Sequence, residues 1–252
     1  MPEAALSTLN ACALGVVAYR DGLRLQEGLT RARAERETGD WLLFPDHPSV
    51  LTMGRGGHED SLKASRAALE RMGIEVFDVA RGGDVTWHGP GQLVGYTVCD
   101  LDARGRDLHR FLRDLEGLLI QVLADLGIEA VRAPGRTGVW VGESKIASIG
   151  VAVRRWVSYH GFALNVCPDL THFGLIHPCG LQGIEMTSVA ALLGPAVATL
   201  DQARLRTAVK MAETMGYDGA RWASPEEAWR VAGVERPAEA GTPPERHVAA
   251  YT

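Results

Sequence analysis

Strand-like and helix-like stretches alternate along most of this chain, and the alternation restricts it to a mixed architecture, α/β or α+β, with helices packed on a sheet. The clearest helix runs over 107–126. Leu108, Phe111, Leu112, Leu115, Leu119, Val122, Leu123 and Leu126 recur at helical spacing, with Asp107 placed as N-cap and Gly127 just past the end. Consecutive strands are predicted at 139–141, 145–154 and 157–166; the second is apolar or small on both faces, which places it centrally in its sheet. Further strands are predicted at 13–19, 41–44 and 49–53, and further helices at 22–38, 65–72, 187–193 and 201–215. From 219 onward Pro, Glu, Ala and Gly accumulate, so the reading is a catalytic domain over 1–218 followed by a loosely ordered tail over 219–252.

Composition narrows the class. With 46% hydrophobic residues in 252 there is ample material for a continuous core. A net charge of −5 without a basic run argues against nucleic acid, whose phosphates need a basic face. No apolar stretch approaches a membrane span, and the opening Met-Pro-Glu-Ala-Ala lacks the basic start of a secretory signal. Cys12, Cys99, Cys167 and Cys179 form no spaced framework, which suits free thiols in a reducing compartment; the expected location is cytoplasmic.

Among 26 basic residues only Lys63, Lys145 and Lys210 are lysines. Arginine does not give up its proton in a protein, whereas lysine can, so a lysine inside an apolar stretch invites a chemical explanation. Lys145 heads Lys145-Ile146-Ala147-Ser148-Ile149-Gly150. Such a residue either faces solvent at a strand start or enters a pocket, where desolvation eases loss of its proton and suits it to general-base work.

Two other segments carry potential chemistry. Arg81 to Gln92 reads RGGDVTWHGPGQ, dense in glycine: either two tight turns around a short strand, or a loop whose backbone N–H groups approach a ligand closely. It matches no nucleotide-phosphate motif. In Pro178-Cys179-Gly180 the thiol sits between a residue that fixes the entry to a turn and one that permits a sharp exit, a setting for a nucleophile rather than for a buried apolar cysteine. A thiolate needs a neighbour to take its proton, and His or Lys can serve. Cys167, His172, His177 and Cys179 also form a loose zinc pattern, a non-catalytic interaction module being the corresponding alternative; the short two-cysteine knuckle is missing, and the expectation is no metal.

Together and in this order the three segments resemble the lipoyl(octanoyl) transferases, with R-G-G-x-x-T-x-H-G-P-G-Q at 81–92, K-I-A-S-I-G at 145–150 and P-C-G at 178–180. The resemblance implies the mixed sheet with packed helices of the biotin/lipoate protein ligase catalytic domain. It implies transfer of an octanoyl group from octanoyl-acyl carrier protein to a lysine of lipoyl domains, carried by 2-oxoacid dehydrogenase E2 subunits and the glycine cleavage H protein, as the first step of protein lipoylation. Cys179 would form the acyl thioester and Lys145 would be its acid/base partner. Arg81, Gly82, Gly83, Asp84, Val85, Thr86, Trp87, His88, Ser148, Ile149, Gly150, Gly161, Phe162 and Ala163 would line the acyl site, with Trp87 an aromatic wall where the family often has Tyr. No cofactor, nucleic acid or membrane is implied. An ATP-dependent lipoate or biotin ligase of the same superfamily is the nearest alternative, and it would need no thiol.

Overall fold

The computed structural model describes residues 8–177, 184–196 and 199–238. An eight-stranded mixed sheet is the frame. Towards one edge β1 (Leu9–Val16) and β2 (Trp41–Asp46) run parallel, with α1 (Tyr19–Ala34) as the crossover between them. The centre is β6 (Gln92–Val98), antiparallel to both β2 and β10 (Val157–Asn165), and β10 in turn pairs with β9 (Ser144–Arg154). Then follow β8 (Arg136–Val141) and β7 (Val131–Ala133) at the far edge. A separate three-stranded sheet sets β3 (Val50–Met53) between β4 (Glu75–Asp78) and β5 (Val85–His88), with the one-and-a-half-turn helix α2 (Arg66–Arg71) beside it.

Strand alternation decides which helices cover which face. Leu42 and Phe44 of β2 join the core beneath α3 (Leu108–Ala124) and α5 (Leu200–Met215), whereas Trp41 and Leu43 join the core on the α1 side. The α3 stripe is buried at Phe111, Leu115, Leu119, Val122 and Leu123, and Asp107 caps it by accepting from Arg110 N at 2.9 Å. A third cluster, Leu51, Leu69, Val85, Trp87, Phe173 and Ile176, fills the small sheet. The short helix α4 (Val189–Leu193) is capped by Ser188 and roofs the end of β10 through Ala190 N to Val166 O, 2.8 Å.

The C-terminal segment departs from its sequence expectation. Residues 220–222 form β11 (Ala220–Trp222), paired parallel with β1, and α6 (Pro225–Ala232) buries Ala228, Trp229 and Ala232 against the α1 side of the sheet. Ser224 caps α6 and Pro225 opens it. An apolar stripe of three residues is enough to dock a two-turn helix, and the surrounding Pro and Glu conceal it from any compositional average. Residues 239–252 lie outside the described residues. No helix among those described is long and apolar enough to cross a membrane.

Candidate active site

Between β8 and β9 the sheet splits. Pairing of β8 with β9 extends only to Ala147, and the edge of β9 beyond it is taken by the glycine loop, Gly82 N donating to Val151 O at 3.0 Å. The split opens a cavity of about 580 Å³ lined by residues from the loop, from β9 and β10, and by Leu108 and Leu112 of α3. Gly150 is what lets the loop come so close: a Cβ there would stand 2.8 Å from Gly82 O and 3.1 Å from Arg81 Cδ. Replacing Gly150 by valine is therefore expected to lift the loop off β9, and hydrogen exchange should report lost protection of the Gly82 amide with about 1–3 kcal/mol of destabilisation. Retained protection would show that the loop is held by something else.

Arg81 shapes this loop from within. Its guanidinium is buried and donates to Thr52 O (2.6 Å), Thr52 Oγ1 (2.8 Å), Asp84 O (2.8 Å) and Gly82 O (3.1 Å). Asp84 then accepts from Ser61 Oγ at 2.9 Å and from Val85 N at 2.6 Å. Polar partners continue inward. Thr52 Oγ1 lies 3.5 Å from His88 Nε2; His88 Nδ1 meets Gln92 Oε1 at 2.8 Å; Gln92 Nε2 donates to Asn165 Oδ1 at 3.0 Å; and Asn165 Nδ2 donates to Thr187 O at 3.0 Å. Thr187 N in turn donates to Lys145 O at 2.9 Å, so one hydrogen-bonded chain joins the glycine loop to the strand that carries Lys145.

Of the three lysines, Lys145 alone is buried, 4% exposed, and it lines the cavity with its Nζ 5.6 Å from the Trp140 ring centre. Arg136 lies over the same ring, its guanidinium carbon 5.5 Å from the centre. The cavity wall also includes Tyr19, Tyr96, His88 and His160, and His47 stands behind them, its Nε2 2.6 Å from Tyr96 OH and its Nδ1 2.7 Å from Val17 O. A carbonyl only accepts, so Nδ1 carries the proton and Nε2 accepts from the phenol. Burial holds all three imidazoles neutral, pushing His47 down to about 4 and His88 and His160 to about 3. His160 sits at φ 59°, a left-handed conformation that histidine tolerates better than most residues, and its N–H donates to Gln26 Oε1 at 2.7 Å.

Of the residues named from sequence, Arg81 to Thr86, His88, Ser148 to Gly150 and Gly161 to Ala163 all line this cavity. Trp87 points the other way. It is fully buried in the small-sheet core, stacked on His172 at 4.8 Å and edge-on to Phe173, because alternation along β5 sends Thr86 and His88 to one side and Trp87 to the other. Cys179 lies outside the described residues, as do its neighbours in 178–183. The described chain on either side of them is tied to the cavity: His177 N donates to Ser61 O at 2.8 Å, Ile184 lines the wall, and Lys145 N donates to Glu185 O at 2.9 Å. Cys12 and Cys99 are buried free thiols pushed up to about 12 by burial, which disqualifies them as nucleophiles near neutral pH. No group of three or more His, Cys, Asp or Glu among the described residues is arranged to hold a metal.

Sequence reading did not single out Tyr19, Tyr96, His160, Trp140, Ser61 or the α3 pair Leu108 and Leu112 as lining residues. They come from three strands, two helices and a 3-10 turn at Ser61, and only the tertiary fold assembles them.

The architecture recurs in solved structures. The bi-partite lipoate protein ligase of Thermoplasma acidophilum superposes with a TM-score of 0.66 at 18% identity, covering 90% of this chain and 91% of that one. P. falciparum LipL1 in complex with lipoate gives 0.70 at 10% identity, over 88% and 67%. At such identities the likeness defines the fold, which is that of the lipoate protein ligases. Sequence goes further: the lipoyl protein ligase A/B catalytic domain matches residues 18–211. An octanoyltransferase from Caldicellulosiruptor saccharolyticus is 50% identical over 188 residues, 74% of this chain and 80% of that protein. Another from Solibacter usitatus is 52% identical over 179 residues, 71% and 81%. The chain belongs to the octanoyltransferase family, within the lipoyl protein ligase A/B catalytic domains.

Proposed function

We propose that this chain transfers an octanoyl group from octanoyl-acyl carrier protein to a lysine of lipoyl domains, on 2-oxoacid dehydrogenase E2 subunits and the glycine cleavage H protein, through a thioester on Cys179. The observation that carries the reading is the burial of Lys145 in a largely apolar cavity onto which both described flanks of the Pro178-Cys179-Gly180 segment are anchored.

In the first half-reaction the Cys179 sulfur attacks the thioester carbonyl and passes its proton to Lys145. The tetrahedral adduct expels the carrier thiolate, which takes that proton from the lysine ammonium. In the second, the acceptor amine attacks the Cys179 thioester; Lys145 takes the amine proton and returns it to the departing cysteine sulfur. The sum is thioester plus amine giving amide plus thiol, a downhill exchange that consumes no ATP. Splitting it in two lets bulky carrier and acceptor proteins visit in turn. The apolar wall of Leu108, Leu112, Ile149 and Phe162 suits a saturated chain. Membership of the octanoyltransferase family supports the choice of acyl group.

Intact-mass spectrometry after incubation with octanoyl-acyl carrier protein is expected to show one octanoyl adduct, localised to the Cys179 peptide. Cys179→Ala should abolish both adduct and transfer. Full activity in that variant, or a requirement for ATP, would hand the reading to the ligase alternative. Stoichiometric zinc without any adduct would hand it to the interaction module.

A further inference from the structure

Glu116 is the one carboxylate of α3 that turns away from water, 0% exposed. Its Oε2 accepts from Arg113 Nη1 at 2.6 Å and Arg132 Nε at 3.1 Å, both on half-exposed side chains, and its Oε1 accepts from Gly138 N at 3.0 Å. An ordinary reading makes this a tie between α3 and the β7–β8 hairpin. Gly138 gives it another meaning. The residue sits at φ 131°, and a Cβ placed on it would come 2.6 Å from Lys145 Cε, 3.3 Å from Lys145 Nζ and 2.6 Å from Ala147 O. Peptide 138 is thus the surface on which the lysine side chain lies, and the register of β8 against β9 slips one residue further on, between Val139 and Trp140. Trp140, displaced by that slip, supplies the ring beside the amine.

We infer that Glu116 is a positioning residue: by holding the Gly138 N–H it fixes the height and twist of β8 where Lys145 crosses, and so sets where the amine stands over the cavity. The inference rests on Lys145 being the acid/base group. The carboxylate touches neither substrate nor the reacting atoms, and it acts through one backbone amide.

Two substitutions separate this role from plain stabilisation. Glu116→Gln keeps an oxygen that reaches Gly138 N while losing charge toward two arginines that can turn to water. Glu116→Asp keeps the charge but is too short by one methylene to reach the amide. Kinetics of octanoyl transfer, pH profiles and melting temperatures are measured for both. Expected is a roughly 10- to 100-fold fall in kcat for Glu116→Asp with KM within about twofold and a displaced pH profile, since misplacing a reacting group by about an ångström has that effect. Glu116→Gln is expected to keep kcat within about threefold even where its melting temperature drops. The reverse order, equal losses, or no change in either variant overturns the inference. If only the Asp variant fails to fold, the Gln result decides; if neither folds, the carboxylate is structural and the inference falls. Should Lys145→Met transfer octanoyl at the wild-type rate, it is the acid/base reading itself that fails.

Discussion

Lys145→Met is expected to cut octanoyl transfer by about two to four orders of magnitude while shifting the melting temperature by only a few degrees. General acid–base groups contribute about 10²- to 10⁴-fold, and the proposed mechanism uses this one in both half-reactions. Stability should change little because the exchange nearly conserves volume at a buried site. Methionine fills the same channel past Gly138 and can lie against the Trp140 ring. Single-turnover acylation by octanoyl-acyl carrier protein, followed by mass, separates the steps: both thioester formation and its aminolysis should slow. A variant that acylates and turns over like wild type removes the lysine from the mechanism. Slowing of aminolysis alone would confine it to the second half-reaction.

The sequence displays most of the frame and part of the site, and the physical reasons differ by element. α3 is legible because eight apolar residues keep helical register between an Asp cap and a following glycine. β9 is legible because both of its faces are buried and small or apolar. By contrast β4, β7 and β11 span three or four residues, too few for alternation to stand out, and each is a strand only because a neighbour pairs with it. α6 did carry its signals, Ser224 before Pro225 and an Ala228-Trp229-Ala232 stripe, but these were averaged away by the proline and glutamate around them.

In the site, the glycine loop and the Lys145 strand stand out locally because close backbone approach requires glycine at 82 and 150, and because lysine is rare in this chain. The orientation of Trp87 was not legible, since a four-residue strand states that its faces differ without stating which is inward. Glu116 was hidden for another reason. A glutamate in an amphipathic helix normally marks the solvated face, and its burial here is made tolerable by Arg113 on its own helix together with Arg132 and Gly138 from the β7–β8 hairpin.

Acid should weaken the fold steeply between pH 6.5 and 4, and the histidines around the cavity set that window. In the unfolded chain each titrates near 6.5; in the fold His47 is lowered to about 4 and His88 and His160 to about 3, all chiefly by burial. A depressed folded pKa means the unfolded state binds protons first, so the stabilisation is complete above about 6.5 and is lost as pH falls. With three protons taken up only on unfolding, the slope approaches about 4 kcal/mol per pH unit near pH 5. Against a typical total of about 5–15 kcal/mol, that is enough to threaten the fold. Carboxylates act at the lower end of the window and beneath it: Asp169, Glu226 and Glu227 are lowered and lose their stabilisation as pH falls through their ordinary range, while Asp46, raised by burial, offsets part of that loss. Urea midpoints measured from pH 7 to 4.5 should show the slope. His160→Asn should remove about a third of it, since asparagine accepts the left-handed backbone at that position and does not titrate. A flat stability profile down to pH 5 would mean that the imidazoles are solvated or charged in the fold, and the burial that keeps them neutral would have to be abandoned.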